Sequence, residues 1–135
     1  MLAAFARFRP AVPVVLRAVL GAIFIAHGFH KLAHGMPDFI RTVARLGFPI
    51  PTAFAWTAAL SEFLGGICVV VGLFTRYAAL AIAIDMSVAI TKVHLNEGLV
   101  GGYEFPLALL AIALAIVLSG AGPASIDSTV LHRDF

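Results

Sequence analysis

Charge is what this chain has least of. Nine Lys and Arg and seven Asp and Glu make up 12% of its 135 residues, about half the share that a soluble surface carries. With 61% apolar residues and a mean hydropathy of +1.04, a water-soluble domain of this size is excluded. Cysteine is nearly absent too. The single Cys68 rules out an intrachain disulfide, a CxxC redox pair and a thiolate cage for zinc or iron–sulfur. It lies in an apolar run and reads as a small buried hydrophobe. Runs of like charge and phosphate-cradling glycine loops are missing. The formal net charge of +2 is spread over scattered residues, so no basic stripe forms and no nucleic-acid partner is expected. Arg7 and Arg9 precede an apolar segment in the manner of a secretory signal. That segment continues through Phe24 to His27 with no convincing small-x-small cleavage site, so it is read as a retained span.

What remains is a membrane protein, with the lipid bilayer as its first partner. Four apolar segments stand out, over residues 12–32, 52–73, 77–95 and 103–119, each near the ~20 residues that cross a bilayer as a helix. None alternates with period two, and each is too long for a barrel strand. The expectation is an all-α fold, a four-helix transmembrane bundle formed by one domain over residues 1–135. Phe74-Thr75-Arg76 is too short to join the second and third spans in any way but as an antiparallel hairpin. Between the first two spans, Ile40, Val43, Ala44 and Leu46 fit a short amphipathic helix at the membrane interface. An even number of spans puts both termini on one side. The Lys/Arg distribution (Arg7, Arg9, Arg76 and Arg133, with Arg17 one turn into the first span, against Lys31, Arg41, Arg45 and Lys92) points to cytoplasmic termini in the inner membrane.

Against this background the polar residues inside the spans carry the information. Glu62 lies within Pro51–Leu73 among apolar, small and aromatic neighbours. An ionised side chain there costs roughly 2.5 to 3.5 kcal/mol, so it is expected to face the bundle interior and to mark function. Gly65 and Gly66 beside it allow close helix approach, within one chain or between two copies in a homo-oligomer. His27, Lys31 and His34 lie within about 60° of one another on the first helix, with His30 beside them. Span parity gathers His27, His30, Lys31, His94 and Glu104 toward one end, with Glu62 deeper. Snorkelling to water is the competing account for Lys31 and His34. Asp85 is expected to be neutralised by Arg17 or Lys92, the Arg17–Asp85 pair being the favoured structural ion pair.

Such a cluster suits three chemistries. Histidine and carboxylate beside an apolar pocket can hydrogen-bond quinone carbonyls and exchange protons with them. Histidines with a glutamate can bind haem or a transition metal, although no sequence motif specifies one and no metal ligands are assigned. Acid–base chains can also carry protons or small solutes.

The residues also carry a family resemblance. Leu16-Arg17 through Gly21-Ala22-Ile23-Phe24, followed by His27-Gly28-Phe29-His30-Lys31-Leu32, resembles the opening of the DoxX family. So do Leu46-Gly47-Phe48-Pro49, Glu62 with Gly65-Gly66, and Gly72-Leu73-Phe74-Thr75-Arg76. Gly120-Ala121-Gly122-Pro123-Ala124-Ser125-Ile126-Asp127 resembles the family's closing G-x-G-x-x-S-x-D, with Ala124 where a basic residue is frequent. The resemblance implies a four-helix prokaryotic membrane protein and a redox or quinone-linked role, since the family takes its name from a thiosulfate:quinone oxidoreductase with similar membrane subunits. It assigns no catalytic residue, and thiosulfate chemistry would need a second, soluble subunit.

The reading is a quinone-interacting or redox-complex membrane subunit, with a soluble redox partner and quinone as acceptor. His27 and Glu62 are the candidate catalytic residues; His30, Lys31, His94 and Glu104 are the candidate ligand-binding ones. The alternatives are a non-catalytic anchor or assembly partner of a redox enzyme and, behind it, a small-solute or metal transporter.

Overall fold

The computed structural model describes residues 2–135. Four of its helical segments are long and apolar enough to cross a membrane, and among the described residues there is no strand. A 3-10 segment, Leu2–Ala11, leads into α1, Val12–His30. Pro13 stands in the first turn of α1, where its missing N–H leaves no helical bond unmade. After α1 the helix loosens into a π turn, Lys31–Gly35, before α2, Met36–Arg45. The break falls at Gly35 (φ −109°, ψ 2°), with Pro37 in the first turn of α2. The link between the first two spans is therefore largely helical, and its amphipathic character is realised. Val43 and Met36 of α2 are buried against Ala55 and Ala59 of the next helix.

That helix, α3, covers Pro51–Val71; α4 covers Thr75–Val88 and runs on through a π turn at Ala89–His94. α5 is Glu104–Ser119, and a single turn, α6 at Ile126–Thr129, closes the chain. Just before α5 the backbone leaves helical geometry at Val100, Gly101 and Gly102.

The core sits between α1, α3, α4 and α5, centred on Leu20, Phe24, Val69, Ile82, Leu109 and Ile116. The outer faces carry exposed Val15, Val19, Leu64, Leu80, Ile84 and Leu114, apolar side chains that lipid solvates. α1 and α3 approach closely because their contact is made by glycine. A Cβ on Gly66 would lie 2.7 Å from the Ile25 nitrogen, and one on Gly28 would lie 2.5 Å from the Phe63 nitrogen. Gly66 is thus used inside the chain, as small residues are when two membrane helices pack backbone to backbone.

The chain termini and the α3–α4 hairpin meet at one end of the bundle, called here the tail end. Gly72 (φ 72°) and Phe74 (φ 47°) adopt left-handed backbone there to turn α3 into α4. Asp127 caps the turn. Its carboxylate accepts from Phe74 N (2.7 Å), Thr75 N (2.9 Å) and Thr75 Oγ1 (2.7 Å), and its own N–H donates to Gly72 O (2.8 Å). Arg17 donates from Nη2 to Ala124 O at 2.5 Å and lies within electrostatic reach of Asp127. Arg76 donates to Val117 O (2.5 Å) and pairs with Asp134 (2.6 Å).

Candidate functional site

The opposite end holds α2, the start of α3 and the two π turns, and here the bundle is hollow. A cavity of about 480 Å³ is lined from every span and from α2. Its walls are mostly apolar and aromatic, with Phe39, Phe48, Phe54 and Phe105 among them. This is the composition of a small-molecule site, where an apolar lining surrounds a few polar groups that fix orientation.

The polar groups sit on one side. Glu62, one residue past the middle of α3, is only 4% exposed, and its Oε1 accepts from Lys31 Nζ at 2.5 Å. The α1–α3 glycine contact brings the two helices close enough for this pair to form. Lys31 is the first residue of the π turn, where an added residue per turn re-aims side chains; such turns recur at functional sites. The Lys31 ammonium also rests over the Phe39 ring, 4.3 Å from its centroid, so α2 and the spans share one cation. From α4, Asp85 comes beside Glu62 and within electrostatic range of Lys31. His27, one turn before Lys31 on α1, is tilted against Phe105 of α5 with ring centroids 6.4 Å apart.

Two oxygens in this cluster have no partner. Glu62 Oε2 and Asp85 Oδ2 are both buried without a hydrogen bond. Two carboxyl groups thus share a single ammonium and lie within hydrogen-bonding reach of each other, and each keeps one oxygen that no N–H or hydroxyl among the described residues reaches. Leaving a buried acceptor unmatched costs free energy, and strain of this kind is characteristic of binding and reaction sites.

The structure sorts the sequence candidates. His27, Lys31, Glu62 and His94 all line the cavity. His30 does not. Its ring stacks near His34, with centroids 6.1 Å apart, and lies against Gly35. Glu104 is also outside the lining; it accepts from Gly101 N at 2.8 Å and fastens the turn into α5. His94 is both a wall residue and a partner of Glu97, at 2.7 Å. The expected Arg17–Asp85 ion pair is not formed. Arg17 stands near the start of α1, and side chains tilt toward the helix N-terminus, so its guanidinium reaches the tail. Asp85 is ten residues into α4, about 15 Å from that end. Among the described residues Lys92 forms no ion pair either. The sequence reading therefore missed Asp85 as a site residue. The signal for it was present in a charged residue midway along an apolar span, but its partner depended on how α4 is rotated. No group of three or more His, Cys, Asp and Glu side chains placed to hold a metal ion occurs among the described residues.

The sequence profile of the DoxX family matches residues 12–95. The chain belongs to the DoxX family. A relative from Bacillus subtilis, named "Putative oxidoreductase CatD", is 32% identical over 87% of this chain and 85% of its own. An uncharacterized membrane protein of Mycobacterium tuberculosis is 28% identical over 89% of this chain and 82% of its own. The inner membrane protein YphA of Escherichia coli is 28% identical over 91% and 93%. No solved structure matches the chain. This DoxX-family protein is a membrane protein of four helical spans, and the match covers α1 to α4, the helices that supply Lys31, Glu62 and Asp85.

Proposed function

We propose that this DoxX-family chain is a quinone-interacting membrane subunit of a redox complex, seated in the cytoplasmic membrane with its termini on the cytoplasmic side. The observation that carries the reading is Glu62: a carboxylate 4% exposed, half-paired, in the wall of an apolar cavity of about 480 Å³. A quinone headgroup is a flat ring with polar oxygens, and the lining fits it. Phe39, Phe48, Phe54 and Phe105 offer faces and edges to a ring. A bound quinone supplies two-electron, two-proton redox chemistry, and a partner protein would exchange the electrons. The chain's own residues hold and orient the ring and handle the protons. Glu62 is anchored by Lys31 through one oxygen, which leaves the other to exchange a proton with a ligand oxygen. His27, free of hydrogen bonds to the protein's carboxylates, is the second proton carrier. The relative whose printed name includes "oxidoreductase" supports the redox half of this reading.

The test is purification in mild detergent or native lipid, then extraction of bound quinone with an optical spectrum and metal analysis of the same sample. Near-stoichiometric quinone, counted as the sum of its oxidised and reduced forms and lost in Glu62→Ala and His27→Ala, is the expected result. A haem or metal signal would replace quinone by another redox group. An apoprotein indifferent to both substitutions, co-purifying with a soluble enzyme, would make the chain an anchor instead.

A further inference from the structure

The polar side of the cavity is short of donors, and this sets which form of a ligand it takes. Among the described residues no N–H or hydroxyl donor reaches Glu62 Oε2 or Asp85 Oδ2, and the two carboxyls lie within hydrogen-bonding reach of each other. Of the nearby donors, Lys31 and two threonines are engaged elsewhere, which leaves the Ser61 hydroxyl and the His27 ring as the other polar groups on this wall. Lys31 serves Glu62 Oε1 and the Phe39 ring. The hydroxyls of Thr42 and Thr57, both in the lining, donate to the carbonyls of Asp38 (3.0 Å) and Ala53 (2.8 Å) on their own helices. A ligand that completes these two carboxyl oxygens must bring hydrogen-bond donors to them.

We infer that the cavity selects the dihydroxy form of a ring ligand, a hydroquinone, over the corresponding dicarbonyl, and that Asp85 acts with Glu62 as its receptor. The inference rests on the reading of the cavity as a quinone-class site and adds to it the preferred redox form and a residue. A hydroquinone presents two O–H donors to two unmatched carboxyl oxygens. The quinone presents only acceptors, and its oxygen against Glu62 or Asp85 sets lone pair against lone pair. Sites built around a ligand hydroxyl reject the analogue lacking it because their own buried groups are then left unpaired. The Glu62 side chain meets the requirement of a built site, being 4% exposed and fixed at its other oxygen by Lys31.

The experiment is calorimetric titration of the purified protein in lipid nanodiscs with three short-chain compounds: a benzohydroquinone under anaerobic reducing conditions, its benzoquinone, and its dimethyl ether. The hydroquinone is expected to bind at least about tenfold more tightly than either of the others. Glu62→Gln and Asp85→Asn each place an amide donor where an acceptor stood, so each should shrink that ratio toward unity, Glu62→Gln the more. The dimethyl ether controls for ring shape and apolarity, and the wild-type comparison stands even if a variant folds poorly. Equal affinity for hydroquinone and dimethyl ether overturns the inference while leaving a ring-binding cavity; the two carboxyls would then satisfy each other. Binding of none of the three overturns both the inference and the quinone reading beneath it.

Discussion

The two ends of this bundle each bury a carboxylate, and they treat it oppositely. At the tail end Asp127 is fully buried and accepts three hydrogen bonds, two from backbone N–H groups and one from Thr75 Oγ1. At the cavity end Glu62 is buried almost as deeply but accepts one, and its second oxygen is bare. The first arrangement resembles a helix cap carried to completion, with a negative group at the N-terminus of α4 where the helix dipole favours it. The second is incomplete by itself. A buried carboxylate with its partners made holds a fold together, and one with partners missing is poised for something else to supply them.

Substitutions should separate the two ends. Asp127→Ala strands two backbone donors and the Thr75 hydroxyl and deprives Arg17 of its counter-charge; a loss of about 3 kcal/mol is expected. Thermal unfolding in detergent should show it, and a midpoint unchanged from wild type would end the view of Asp127 as a structural clasp. Gly72→Ala comes next. A side chain at φ 72° is strained and would meet Arg17 and Ser125, so about 2 kcal/mol should be lost in the same assay. Glu62→Gln should invert the pattern. Stability is expected to move by less than about 1 kcal/mol because the amide oxygen can still accept from Lys31, while hydroquinone affinity falls roughly tenfold. If unfolding shifted strongly and ligand affinity did not, the cavity end would be as structural as the tail. Smallest is His30→Ala, expected within about 0.5 kcal/mol of wild type in stability and without effect on ligand titration, since His30 is exposed and off the cavity wall.

The sequence exposed the spans well, because hydropathy and length are local properties. α3 and α5 begin and end within two residues of the segments read from apolar runs. The amphipathic α2 was legible from Ile40, Val43, Ala44 and Leu46, and span parity brought His27, Lys31, Glu62 and His94 to one end. Rotation about the helix axes was not legible. His30 was placed in the cluster by span parity, but on α1 it faces outward, beside rather than toward the cavity, and its ring ended near His34. Asp85 was given to Arg17 on charge alone, whereas level along the bundle decides the pairing. The closing G-x-G-x-x-S-x-D carried only a family resemblance. In the fold, Gly120 and Gly122 turn with φ of 76° each, Ser125 accepts from Ser128 N to cap α6, and Asp127 clamps the hairpin. Ala124 meets Arg17 through its carbonyl, so the missing basic side chain leaves this contact intact.

The clasp also has a direction in time. Arg17 belongs to α1, and the carbonyl that receives it lies 107 residues later in the chain. Until that residue emerges, the first span holds an arginine with no acceptor, and even in the finished fold its Nε and Nη1 remain without one. Membrane insertion of α1 thus precedes the neutralisation of its own charge. A chain interrupted before Ala124 would carry into the bilayer an open tail end and an unanswered cation.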